Sequence, residues 1–186
     1  MQLSIFKGYA IIIIMNIANV LTCFRLAAVP FIVALAVFNY PIYAVLLFII
    51  AAATDIIDGP IARKQKKVSL FGSFLDPITD KILINCLFIT LLYLGVLPLW
   101  TVLLMISREF AVQVIRDAAK AKDIILKSET SGKIKADAQG ITILIGLLTL
   151  ANLVPIVYTH IAMYITLAIS YYALVEFLLK NKEWKK

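Results

Sequence analysis

Four aspartates stand in one stretch of the chain, residues 55–80: Asp55, Asp58, Asp76 and Asp80. The first pair is spaced by three and the second by four, so on helices each pair shares one face, about 60° and about 40° apart. Long runs of Ile, Leu, Ala and Phe flank them. Burying a single charge at the centre of a bilayer costs about 2.5–3.5 kcal/mol on insertion scales, so four carboxylates in such surroundings need cationic compensation. Hard divalent cations with oxygen ligands supply it, and two such ions held together form the arrangement that clamps phosphoryl groups. The intervening residues suit that chemistry. Gly59 and Gly72 let a ligand approach the backbone closely, Ala62 keeps the floor shallow, and Arg63 offers a forked donor for phosphate. Such a floor fits a pyrophosphate joined to a planar base. The bland alternative is a set of structural ion pairs, Asp55 or Asp58 with Arg63 and Asp76 or Asp80 with Lys81. It leaves the two glycines and the doubling of the acids unexplained.

The elements that must carry these residues follow from the apolar runs. The chain has 186 residues, 62% of them hydrophobic, with a mean hydropathy of +0.97. A spanning helix needs roughly 20 apolar residues, and punctuation divides the chain into six such segments. They cover about 21–38, 42–63, 71–95, 98–121, 136–153 and 155–179. Residues 138–175 contain no Asp, Glu, Lys or Arg; as one helix that run would be about 57 Å long, so it must turn near Asn152 and Pro155. The second and third segments are sequential and joined by a short turn. They are therefore expected to run antiparallel, with the two acid pairs facing one another across a cleft. The turns around 39–41, 95–98 and 152–160 lack Lys and Arg, while the other turns and the tail hold most of them. By the positive-inside rule, that places both termini in the cytoplasm. The expectation is an all-α integral membrane protein of six transmembrane helices, with residues 1–15 as an extension or interfacial segment and 16–186 as one domain.

Net charge is +7, from 18 Lys and Arg against 11 Asp and Glu. Without a basic stripe interleaved with aromatics, this charge fits membrane orientation and anionic lipids and argues against nucleic acid. Cys23 and Cys86 read as buried free thiols. His160 has no Cys or His companion for a metal role. Tyr43, Tyr93, Trp100, Tyr158 and Tyr164 fall near segment ends and read as an interfacial belt.

The spacing Asp55-x2-Asp58-Gly59-x2-Ala62-Arg63-x8-Gly72-x3-Asp76-x3-Asp80 resembles the full signature of the CDP-alcohol phosphatidyltransferases. NIANVLTCFRLAAVPF (16–31), ISREFAVQVIR (106–116) and SGKIKADAQ (131–139) are similar to further motifs of the branch that makes phosphatidylglycerol phosphate. Ala18 and Ala136 depart from it, where that branch usually has Pro and Thr. The resemblance implies a six-helix, homodimeric enzyme of the bacterial cytoplasmic membrane, its active site facing the cytoplasm among membrane lipids. The substrates implied are CDP-diacylglycerol and sn-glycerol 3-phosphate, with two divalent cations, Mg2+ or Mn2+, as cofactors. By the same resemblance Asp55, Asp58, Asp76 and Asp80 anchor the metals, and Asp80 is the general base. Asp58, Gly59, Ala62, Arg63 and Gly72 form the CDP-lipid site, with Asn19 and Thr22 as polar contacts at its mouth.

A phosphorylated acceptor needs cations of its own, and Arg108, Arg116, Lys133 and Lys135 are available. Lys133 and Lys135 would point about 160° apart on a regular helix, so a non-helical start to the fifth segment is expected if both reach inward. Two other readings stay open. One keeps the reaction and changes the acceptor to phosphatidylglycerol, inositol phosphate or serine. The other is a divalent-cation transporter, disfavoured because the acids cluster near one face and do not continue across the membrane.

Overall fold

The computed structural model describes residues 17–65, 70–122 and 130–181, with side chains at 22–54, 78–119, 121–122 and 131–181. Residues 1–15 therefore lie outside the described residues. Six helices are present among those described: α1 Ile17–Val37, α2 Pro41–Gln65, α3 Leu70–Tyr93, α4 Leu99–Ala121, α5 Thr130–Leu150 and α6 Ile156–Lys180. Five begin within a few residues of the sequence expectation. The exception is α5, which starts at Thr130 and carries Lys133 and Lys135 on regular helix. The non-helical start expected there is not found.

Three of the turns share one design. Asn39, Gly95 and Asn152 adopt left-handed backbone, with φ of 63°, 73° and 57°. In each case the next N–H reaches back five residues to close the preceding helix: Tyr40 to Leu35 at 2.8 Å, Val96 to Leu91 at 2.9 Å, and Leu153 to Leu148 at 3.0 Å. This is the Schellman closure, for which Gly and Asn are suited. A proline follows each: Pro41 is the first residue of α2, where its preset φ fits and its missing N–H is dispensable, and Pro98 and Pro155 immediately precede α4 and α6.

The described chain divides into two compact units, residues 1–87 and 88–186. In the first, α1 packs on α2 through Ala28, Val29, Ile32 and Ala36 against Ala44, Val45, Phe48 and Ala51, all buried. Two small alanines on each face let the two backbones come close. In the second, α6 packs on α5 and on α4, and the contact is notably polar. Thr142 and Thr166 share a hydrogen bond at 2.8 Å, as do Thr149 and Thr159 at 2.7 Å. Such pairs join helices in surroundings where apolar contact alone distinguishes nothing from lipid. His160 donates from Nε2 to the Val96 carbonyl at 3.1 Å, a structural bond that ties α6 to the turn before α4.

Gly146 marks a close approach between α5 and the end of α3. A Cβ built there would lie 2.6 Å from Leu91 Cδ1, and Leu91 is fully buried. Gly146→Leu is therefore expected to overpack the contact at a cost of about 1–3 kcal/mol. For Gly146→Ala the gain in helix propensity, about 1 kcal/mol, offsets a small shift of the leucine tip. Thermal unfolding in detergent checks this; a Leu variant that melts with the wild type would mean the approach is not there.

Large apolar side chains face outward in number, among them Phe31, Leu46, Ile50, Phe110, Ile161, Ile165 and Val175. Conversely, Thr22, Arg25, Thr79, Arg108, Glu109, Gln139, Thr142 and Ser170 are buried. Polar groups inside and large apolar groups outside is the reverse of a water-soluble domain. Among the described residues α6 is long and apolar enough to cross a membrane by length and composition, and α1 and α2 contain shorter apolar stretches, Thr22–Val37 and Pro41–Thr54. Tyr43, Tyr93, Trp100, Tyr158 and Tyr164 are all exposed, as a belt requires. Cys23 is exposed and Cys86 half-buried, and neither forms a disulfide. The expectation of two buried thiols fails for Cys23 because its side of α1 is turned away from α2, which the apolar sequence on both sides of it does not reveal.

Candidate active site

The backbone places Asp55 and Asp58 in the C-terminal part of α2, and Asp76 and Asp80 in the N-terminal half of α3. Gly59, Ala62 and Arg63 lie on α2 and Gly72 on α3. The side chains of 55–77 are outside the described residues, as is that of Asn19, so the expected facing of the acid pairs is not described either. Asp80 is the described member of the acidic set. It is half-buried, and its Oδ1 accepts a hydrogen bond from Arg25 Nη1 in an ion pair that joins α1 to α3. The Arg25 side chain is 1% exposed and that of Asp80 47%. A guanidinium with a rigid fork of donors, packed so deeply, fixes the orientation of the carboxylate it holds. Thr22 lies one turn before Arg25 on the same side of α1 and is also buried.

Arg25 is a site residue absent from the sequence expectation. Its signal was available, since an arginine inside an apolar segment is a functional candidate by default.

In the second unit, the buried side of α4 runs through Val102, Met105, Arg108, Glu109 and Val112. It is apolar toward the N-terminus and turns ionic one step later. Arg108 donates through Nε to the Ser170 carbonyl of α6 at 2.9 Å, and through Nη1 to Glu109 Oε1 at 3.1 Å. The same Oε1 accepts from Lys135 Nζ at 2.5 Å and from Gln139 Nε2 at 3.3 Å. Lys135 and Gln139 are four apart on α5 and so share a face. One buried carboxylate oxygen thus gathers donors from two helices, and Arg108 extends the network to a third.

Two of the four expected acceptor cations, Arg108 and Lys135, are therefore brought together. Lys133 is exposed, because the regular helix from Thr130 turns it away from Lys135. Arg116 is exposed and lies over the Phe177 ring, 5.5 Å from its centroid, where a cation–π contact holds it. Ala136 is exposed on α5, and no hydrogen bond of the Glu109 cluster runs through it. Its missing hydroxyl therefore leaves the Glu109 cluster intact. Glu109 is not among the residues expected from the sequence; its role as common acceptor is visible in the fold alone.

Comparison with known proteins defines the class. Residues 15–172 match the model of the CDP-alcohol phosphatidyltransferase family, and the chain belongs to that family of membrane-associated transferases. Among its relatives, the CDP-diacylglycerol–glycerol-3-phosphate 3-phosphatidyltransferase of Yersinia enterocolitica is 30% identical over 180 residues, 92% of this chain and 96% of the relative. The protein of the same name from Bacillus subtilis is 36% identical over 143 residues, 69% and 74% of the two chains. That from Rickettsia bellii is 38% identical over 127 residues, 67% and 70%. The family is generally dependent on divalent metal. An all-oxygen donor set of aspartates is the chemistry such ions take, and pairing with Arg25 is compatible with it, since a carboxylate offers about four lone-pair sites over two oxygens.

Proposed function

We propose that the chain transfers the phosphatidyl group of CDP-diacylglycerol to sn-glycerol 3-phosphate, giving phosphatidylglycerol phosphate and CMP, a step of phospholipid biosynthesis. The names of the relatives support the reaction. One observation supports a phosphorylated acceptor: Arg108 and Lys135 converge at a buried point, where an uncharged alcohol would need no cation and a phosphomonoester is matched by such donors.

In this reading Asp80 accepts the proton of the acceptor's primary hydroxyl. The hydroxyl oxygen forms a new bond to the phosphorus that bears diacylglycerol, and the bond from that phosphorus to the oxygen of CMP breaks. Arg25 holds Asp80 in the orientation that proton transfer needs. Arg63 grips the diphosphate, and Gly59, Ala62 and Gly72 floor the cytidine, with Thr22 and Asn19 in support. Arg108, Lys135, Arg116 and Lys133 receive the acceptor phosphate, the first two by direct contact and the exposed pair by steering. Two divalent cations, Mg2+ or Mn2+, held by Asp55, Asp58, Asp76 and Asp80, supply stabilisation of charge on the phosphoryl oxygens and on the departing CMP. The protein is a homodimer of the bacterial cytoplasmic membrane, each copy spanning it six times with both termini in the cytoplasm. The outward apolar side chains and inward polar ones support the membrane assignment.

The test supplies labelled glycerol 3-phosphate and CDP-diacylglycerol to the purified protein with Mg2+ or Mn2+. Label is expected in the lipid phase in one-to-one proportion with CMP. Efficient use of phosphatidylglycerol, inositol phosphate or serine in its place would replace the acceptor. Metal uptake into proteoliposomes without CMP release would replace the reaction.

A further inference from the structure

We infer that Glu109 is a positioning residue for the acceptor: its carboxylate holds Lys135 and Arg108 at the geometry in which they receive the phosphate of glycerol 3-phosphate. The inference rests on the proposed function and deepens it.

A site for a phosphate dianion gains from positive charge, yet Glu109, 8% exposed, stands at the centre of the cluster. With Arg108 and Lys135 each +1 and Glu109 −1, the three sum to +1. The carboxylate therefore weakens the raw attraction for phosphate. What it provides is placement. Lysine is a compact charge on a flexible four-carbon stem, and ordering it is costly unless something holds the ammonium. Here the Lys135 side chain is 13% exposed and Glu109 Oε1 lies 2.5 Å from Nζ. Gln139, placed between Met105 Sδ and Glu109 Oε1 at 3.3 Å each, donates a second hydrogen bond to the same carboxylate oxygen.

Arg108 is arranged in a similar way. Its Nε is committed to the Ser170 carbonyl and Nη1 to Glu109. Nη2 has no acceptor among the described residues, so the outer edge of the fork is left for a ligand oxygen. Ser170 Oγ, fully buried, also lacks a partner there.

Two effects of removing the charge have opposite signs, and this makes the inference testable. Glu109→Gln keeps an acceptor oxygen and the shape of the side chain. If Glu109 only opposed the phosphate, KM for glycerol 3-phosphate would fall. If it positions the cations, KM rises, because the neutral amide oxygen holds Lys135 and Arg108 more weakly than the carboxylate. The expected result is a rise of about tenfold, which corresponds to about 1.4 kcal/mol. KM for CDP-diacylglycerol should stay within about twofold. Glu109→Asp is expected to recover part of the loss.

A double-mutant cycle assigns the effect to Lys135. In a Lys135→Met background, Glu109→Gln is expected to add no more than about twofold, as for residues acting through one another. Calorimetric titration of glycerol 3-phosphate into wild type and Glu109→Gln protein in detergent, with thermal unfolding as a folding control, gives a readout without turnover. Wild-type protein that neither binds nor uses glycerol 3-phosphate would overturn the acceptor assignment and this inference with it. Wild-type activity with an unchanged or lowered KM in Glu109→Gln, equal rises in both KM values, or full additivity with Lys135→Met would overturn the Glu109 inference alone.

Discussion

Asp80→Asn is expected to cut turnover by about a thousandfold, within the range of 10²–10⁴ that a general base contributes, while CDP-diacylglycerol still binds. The amide keeps an oxygen that can accept from Arg25 but cannot take the acceptor's proton. The choice of Asn over Ala matters here. Arg25 is fully buried, and removing its partner outright would strand a charge at a cost of about 3–5 kcal/mol. A dead Asp80→Ala enzyme would thus report folding as readily as chemistry. Asp55→Asn should behave differently, losing the metal-dependent part of CDP-lipid binding. Binding measured with Mg2+ and again after chelation separates the two variants. Equal loss of binding in both would end the division between base and metal anchor, and undiminished turnover after thorough chelation would end the metal assignment itself.

Arg25→Met is the second large effect. Methionine fills a similar volume without charge, and the group left behind, Asp80, is the half-exposed partner. The stability loss should therefore sit near the low end of the 1.5–3 kcal/mol typical of a charge-assisted hydrogen bond. For a chain of this length that corresponds to a few degrees in Tm. The kinetic effect should be larger, about a hundredfold in kcat, because a misplacement of about 1 Å in a reacting group costs that much. KM for both substrates should change little. Arg25→Lys should recover part of the rate, as a cation without the fork. A kcat loss no greater than the loss of folded protein would reduce Arg25 to a structural ion pair.

Local chemistry made much of this protein legible before any coordinates. The turns at Asn39, Gly95 and Asn152 were marked by a residue tolerant of left-handed backbone followed by proline, a signal that needs no tertiary context. Helix length followed from apolar run length, and the fixed gaps among Asp55, Asp58, Gly59, Ala62, Arg63, Gly72, Asp76 and Asp80 carried the family. The start of α5 lies six residues before the apolar run that begins at Ala136, because the polar residues 130–135 continue the helix as its ionic end.

What the sequence could not reveal was which side of each helix faces inward. In a water-soluble helix the apolar stripe marks the buried face. Here the outward and inward faces are both apolar, so Cys23 and Ile32 on α1 look equivalent although one is exposed and the other fully buried. The pairings of Arg25 with Asp80, 55 residues away, and of Glu109 with Lys135 and Gln139, 26 and 30 away, depend on that choice. Packing decided it, by turning toward neighbouring helices those few polar side chains that could be satisfied there and nowhere in hydrocarbon.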